Sequence, residues 1–129
     1  MNTTMRPVPR SMLFTPATKA SYFDKAAQVG AAAVILDLED SVATAAKDQA
    51  RCAALNYLGS DRLSGVQTAL RINSPATLAG WQDLTALLQS SCDPDFVVIP
   101  KAESAAVAGL VKSLLTQARK AAPFSSARS

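Results

Sequence analysis

"AAAVILDLEDSV", Ala31 to Val42, sets six apolar residues in a row ahead of three acids within four positions, Asp37, Glu39 and Asp40. Its apolar centre, Val34 to Leu36, is too short and too β-branched for a buried helix. It reads as a strand covered on both faces. On its amino-terminal side "SMLFTP", Ser11 to Pro16, reads as a strand. "ATKASYFDKAAQVGA" follows with helical spacing of Tyr22, Phe23, Ala26, Ala27 and Val29 and a stop at Gly30. On its other side "TAAKDQARCAALNYL", Thr44 to Leu58, is Ala-rich and amphipathic, with Gly59 just past its end. The alternation repeats. A strand "VQTALRIN", Val66 to Asn73, precedes "TLAGWQDLTALLQSS", in which Leu78, Trp81, Leu84, Leu87 and Leu88 form one stripe expected in the core. A last strand "DFVVIPK", Asp95 to Lys101, precedes a helix from Glu103 to Ala122.

Four βα units at about 30-residue intervals, without tight hairpin signals, predict an α/β fold with a parallel sheet covered by helices. The pattern fits both an open doubly wound sheet and part of a barrel. "FTPATKAS" after the first strand contains neither GxGxxG nor GxxxxGK[ST], so a nucleotide-binding open sheet loses its best support.

Composition narrows the function classes. With 129 residues, 49% of them hydrophobic, the chain has the size and core of one domain. The formal net charge is +3, but the 13 basic residues are scattered and only 5% of residues are aromatic, which argues against a nucleic-acid partner. Histidine is absent, and Cys52 and Cys92 are far apart, so the common zinc sets and histidine catalysis are excluded. No apolar run approaches the roughly 18 to 20 residues of a membrane span, and "MNTTMRPVPRS" lacks a signal-like apolar core. A cytoplasmic protein with reduced thiols and no membrane partner is expected.

Strand parity then suggests a site. Asp37 and Glu39 share a face with Ile35, Arg71 and Asn73 share a face with Ala69, and Lys101 is expected to share one with Val97 and Ile99. The polar residues come at carboxyl ends, where α/β folds place ligands. Asn73, Lys101 and Glu103 are expected at the rim of this pocket. Two readings stay open: the acids pair structurally with Arg71 and Lys101, or they serve a ligand, with Arg71 as a carboxylate fork and the acids holding the waters of a hydrated Mg²⁺. Asp40 has the other parity and is expected to cap or polarise the following helix. Lys19 and Lys25 read either as a solvated helix start or as contacts to an anion.

Four segments, "RSMLFTPATKASYFDKA", "AAVILDLEDSVATAAKDQAR", "ALRIN" and "DFVVIPKAES", in this order and at these intervals, resemble the citrate lyase beta-subunit-like branch of the HpcH/HpaI aldolase family over roughly Arg10 to Leu115. The resemblance implies a TIM barrel that forms trimers or hexamers and uses Mg²⁺ to make or break a carbon–carbon bond in a CoA thioester such as citryl-CoA, malyl-CoA or citramalyl-CoA. It also implies that Arg71 is catalytic and binds the carboxylate of the 2-oxo acid half. Phe14, Lys19 and Lys25 would then contact the acyl-CoA, with Lys19 where an arginine is common, and Asp37, Glu39 and Asp40 would shape the metal's outer shell.

Direct Mg²⁺ ligands in that family are a Glu ending the fifth strand, in a motif like "IETA", and an Asp ending the sixth. This chain has neither, and after "LLTQARKAAP" it reads "FSSARS". The expectation is a single partial TIM-barrel domain over 1–129 with four of eight units, a divergent tail over 116–129, and no activity by itself. The alternative is a non-catalytic remnant or assembly module of such an enzyme, and an unrelated open α/β binding domain is the outsider.

Overall fold

The computed structural model describes residues 12–18, 20–30, 32–60, 66–100 and 105–121. Along them the chain runs β1 (Met12–Pro16), α1 (Ala20–Gln28), β2 (Ala33–Asp37), a 3₁₀ turn (Thr44–Ala46), α2 (Lys47–Leu58), β3 (Gln67–Arg71), α3 (Leu78–Gln89), β4 (Phe96–Val98) and α4 (Ala105–Ala121). The strands form one parallel sheet in the order β1-β2-β3-β4. This is the arrangement expected from strands separated by helical crossovers. Gly30 ends the first βα unit with φ of 84°, a left-handed conformation that glycine adopts without strain from a Cβ.

Register sorts the side chains. Leu36 lies opposite Leu70, and Leu70 opposite Val97, on the face packed by Phe23 of α1, Ala50, Ala54 and Tyr57 of α2, Leu87 of α3 and Leu115 of α4. The rings of Phe23 and Tyr57 meet at 4.6 Å, and the Tyr57 hydroxyl donates to Asp24 Oδ1 at 3.1 Å. Burying each of Phe23, Leu36, Leu38, Leu70 and Ile72 contributes about 1.5–3 kcal/mol, so this face carries much of the fold's stability. On the opposite face one row runs Phe14, Ile35, Ala69, Phe96 and the next runs Pro16, Asp37, Arg71, Val98. The polar pair therefore sits at the carboxyl ends of the two central strands.

Two sequence expectations are corrected here. β4 is only three residues long, and Val98, not Val97, continues the Asp37–Arg71 row. Val97 packs into the helix-covered core, on the face opposite to the one expected for it, and Lys101 lies outside the described residues. The strand ends at Val98, two residues before Pro100.

The second correction concerns α3. Its buried residues are Gly80, Asp83, Leu84 and Leu87, whereas Leu78 is 73% and Trp81 56% exposed. The helix is rolled because Gly80 lies against the 73–74 backbone, where a Cβ would fall far inside contact distance of the Ser74 and Asn73 carbonyl oxygens. Asp83 is drawn inward by hydrogen bonds to Asn73 and Arg51. Leu84 and Leu87 of the expected stripe stay in the core, while polar pairing and the close backbone approach turn Leu78 and Trp81 out.

Candidate functional site

Asp37 and Arg71 are direct partners in the β2–β3 register. The Arg71 guanidinium forks onto the carboxylate, Nε donating to Oδ1 and Nη2 to Oδ2, both at 2.8 Å. The chain folds back to complete the shell: Glu39 N–H donates to Oδ1 at 2.9 Å, and Ser41 donates to Oδ2 through N–H at 3.1 Å and Oγ at 2.6 Å. Burial alone would raise the Asp37 pKa. The hydrogen bonds from Arg71, from the Ser41 hydroxyl and from two backbone amides outweigh it and hold the carboxyl below the usual range.

Arg71 stacks over the Phe14 ring, with Cζ 4.8 Å from the ring centroid. Its pKa is raised, first by the hydrogen bond to Asp37, with desolvation opposing. Nη1 makes no hydrogen bond to a described residue, and the side chain keeps 21% exposure. Among the described residues, the guanidinium is thus held on one edge, while Nη1 on the other edge has no partner. Glu39 lies 3.7 Å from Arg71 Nε. Burial pushes its pKa up, as do a hydrogen bond and like charge from Asp40, while Arg71 pulls the other way.

Asp40 does not cap a helix. Ala43 precedes the 3₁₀ turn and Ala46 precedes α2, neither with a side-chain cap bond. Asp40 stays in the exposed turn beside Glu39 because Asp37, not Asp40, collects the turn's free amides.

Asn73 is buried below the pair, away from the expected rim. Its Nδ2 donates to Leu38 O at 2.9 Å and Asp83 Oδ2 at 2.7 Å, its N–H donates to Asp83 Oδ2 at 2.9 Å, and its Oδ1 accepts from Lys47 Nζ at 2.7 Å. Beyond β3 the backbone has left the strand, so alternation no longer sets its direction. Lys47, Arg51, Asp83 and Ser41 were not singled out from the sequence. The available signals were Lys47 and Arg51 one helical turn apart in "KDQAR" and an acid inside the apolar pattern of α3.

Phe14 and Lys25 line one groove of about 390 Å³ at the β1 edge, with Leu13, Tyr22 and Val29. Lys25 Nζ lies 5.8 Å from the Tyr22 ring centroid. Lys19, Lys101 and Glu103 lie outside the described residues. A separate cavity of about 250 Å³, beside Cys92 and Arg119, lies at the turn entering β4, at the opposite end of the sheet.

The donors do not compose a magnesium site. An ionised carboxylate offers about four lone-pair positions, and Asp37 already accepts five hydrogen bonds, which leaves none for a metal or its water. Among the described residues no three Cys, Asp or Glu side chains converge on a metal-sized space. Asp37 is therefore the anchor of Arg71. Among the described residues, too, no helix is long and apolar enough to cross a membrane.

The family model described as HpcH/HpaI aldolase/citrate lyase matches residues 10–124. Citrate lyase subunit beta of Leuconostoc mesenteroides subsp. cremoris is 32% identical over 111 residues, which covers 86% of this chain and 36% of that protein. L-malyl-CoA/beta-methylmalyl-CoA lyase of Cereibacter sphaeroides is 34% identical over 113 residues, covering 87% and 36%. The chain spans about a third of the length of these curated relatives. The crystal structure of CitE from Mycobacterium tuberculosis, in complex with magnesium, acetoacetate and coenzyme A, superposes with a TM-score of 0.61 at 43% identity, covering 74% of this chain and 33% of that one. The four βα units match the N-terminal half of such TIM-barrel-type beta subunits.

Proposed function

Because the chain belongs to the HpcH/HpaI aldolase/citrate lyase family, we propose that it carries the carboxylate-binding part of a magnesium-dependent carbon–carbon lyase. The substrate is a CoA thioester of the citryl-CoA, malyl-CoA or citramalyl-CoA class, and the products are an acyl-CoA and a 2-oxo acid. Names among the relatives support that class.

The observation that carries the reading is Arg71, gripped by Asp37 through two nitrogens, with Nη1 unpartnered among the described residues. A carboxylate approaching that edge gains charge-assisted hydrogen bonds to a group already immobilised, so little side-chain entropy is lost on binding. Phe14 shields one face of the guanidinium. Phe14 and Lys25 share a groove suited to an acyl-CoA arm, and Lys19 joins them by resemblance.

Magnesium is the proposed cofactor on the strength of the magnesium-bound relative. This chain's described residues contribute recognition rather than coordination. Glu39 and Asp40 are the acids left for an outer shell, and Lys101 and Glu103 remain rim candidates. The reading includes a homo-oligomer in the cytoplasm, with no nucleic-acid partner. A second reading, an assembly module without catalysis, is favoured by the lack of a metal-sized carboxylate cluster among the described residues.

Isothermal titration of oxaloacetate, with and without Mg²⁺, into the 129-residue chain decides between them, with light scattering alongside. The lyase reading expects saturable binding that falls by about one to two orders of magnitude in Arg71→Ala, as for a lost charged hydrogen bond. Arg71→Lys should restore it only in part, because an ammonium cannot keep the fork on Asp37. A folded chain that does not bind, or binding indifferent to Arg71, would leave the module.

A further inference from the structure

Beneath Arg71 lies a set of charged groups that the carboxylate site does not itself use. Lys47 Nζ donates to Leu38 O at 3.2 Å, Glu39 O at 3.1 Å and Asn73 Oδ1 at 2.7 Å. Asp83, whose side chain has 0% exposure, accepts from Arg51 Nε at 2.8 Å on one oxygen and from the Asn73 N–H and Nδ2 on the other. Four elements meet here: α2 supplies Lys47 and Arg51, α3 supplies Asp83, and the segments leaving β2 and β3 supply the carbonyls and Asn73.

We propose that Lys47 and Asn73 are positioning residues that hold Arg71 for its ligand through the Leu38–Glu39 peptide group. This rests on the reading of Arg71 as the carboxylate binder. The carbonyl of that peptide accepts from both Lys47 and Asn73, and its N–H donates to Asp37 Oδ1, the oxygen that also receives Arg71 Nε. One rigid plane thus links the partly buried Lys47 ammonium to the guanidinium. A rotation of the plane that frees the carbonyl also withdraws the N–H from Asp37.

Donors on a peptide oxygen polarise the group and strengthen its N–H as a donor, so the links reinforce one another. Behind Asn73, Asp83 and Arg51 fix its orientation, and Leu38 N–H donating to Arg71 O at 2.9 Å ties the two strand ends directly. A buried ionic network is a poor source of net stability compared with apolar packing. Its directional bonds instead restrict the strand ends to one arrangement.

The test uses the ¹⁵N-labelled 129-residue chain and Lys47→Met, which removes the ammonium and keeps an apolar stem. Positioning predicts that exchange of the Glu39 and Ser41 amides and of Arg71 Nε–H accelerates about tenfold relative to the Leu36 and Leu70 amides, reporting local rather than global opening. Oxaloacetate affinity should fall by a similar factor. A uniform acceleration, with the Arg71 Nε–H resonance unmoved, would reduce Lys47 to ordinary structural support and overturn the proposal. Lys47→Gln, which keeps one donor, is read by the same contrast if Lys47→Met does not fold. Failure of the wild type to bind oxaloacetate removes the carboxylate reading, and with it positioning for a ligand; the exchange contrast then shows whether the link to Arg71 stands without it.

Discussion

Replacing Asp37 by Asn isolates the charge that organises the site. The residue is 1% exposed, and the change is nearly isosteric, so no cavity opens. The Asn oxygen can keep the Oδ1 partners, Glu39 N–H and Arg71 Nε. The new NH₂ then faces Arg71 Nη2 and Ser41 N–H, two donors that lose their acceptor, while the Ser41 hydroxyl can rotate to accept. Two bonds to a charged acceptor at about 1.5–3 kcal/mol each give about 3–6 kcal/mol. Arg71 is partly open to water and recovers some of this, which leaves roughly 3 kcal/mol. For a chain of this length that is a fall in Tm of about 10–15 °C.

Urea denaturation of both proteins as a function of pH is the assay. Because the folded pKa of Asp37 lies below its ordinary value of 3.8, its contribution is fully present above that pH. It is lost as pH falls from there through the folded value. The wild-type advantage should therefore be flat from about pH 5 upward and shrink progressively below about pH 4. A gap under about 1 kcal/mol at pH 7, the range of an exposed pair, or one that does not shrink in acid, would refute the account of Asp37 as the buried anchor.

Gly80→Ala should destabilise the fold by about 1–3 kcal/mol in the same assay, because a Cβ there meets the Ser74 and Asn73 carbonyls and overpacks a backbone contact. Trp81→Ala should cost about 1 kcal/mol or less, since the ring is 56% exposed; a loss of about 3–5 kcal/mol would return Trp81 to the core. Asp83→Ala should cost about 3 kcal/mol by urea denaturation, since it strands the Arg51 cation and the Asn73 amides without their acceptor.

The alternation of strands and helices, the parallel sheet and the placing of Asp37 and Arg71 on one face were legible in the chain itself. Apolar runs, glycine stops and strand parity are local properties that each segment declares without reference to the rest. Parity worked for Asp37 and Arg71, which lie within the ladder, and failed for Asn73, past the end of β3, and for Val97, which the register places on the helix-covered face. The roll of α3 was hidden for another reason. Apolar spacing cannot reveal that an acid will be buried when its partners, Arg51 and Asn73, are 32 and 10 residues away in sequence.

The choice between the two uses of the acids was likewise tertiary. Sequence placed three carboxylates at a strand end, and only the folded chain, by bringing Arg71, Glu39 N–H and Ser41 onto Asp37, decided that this one anchors while Glu39 and Asp40 stand beside it. Local pattern determines which side chains a strand can present, because the backbone period is intrinsic to the segment. Which of them keeps a free lone pair depends on how many donors the rest of the chain delivers, and that count exists only after folding.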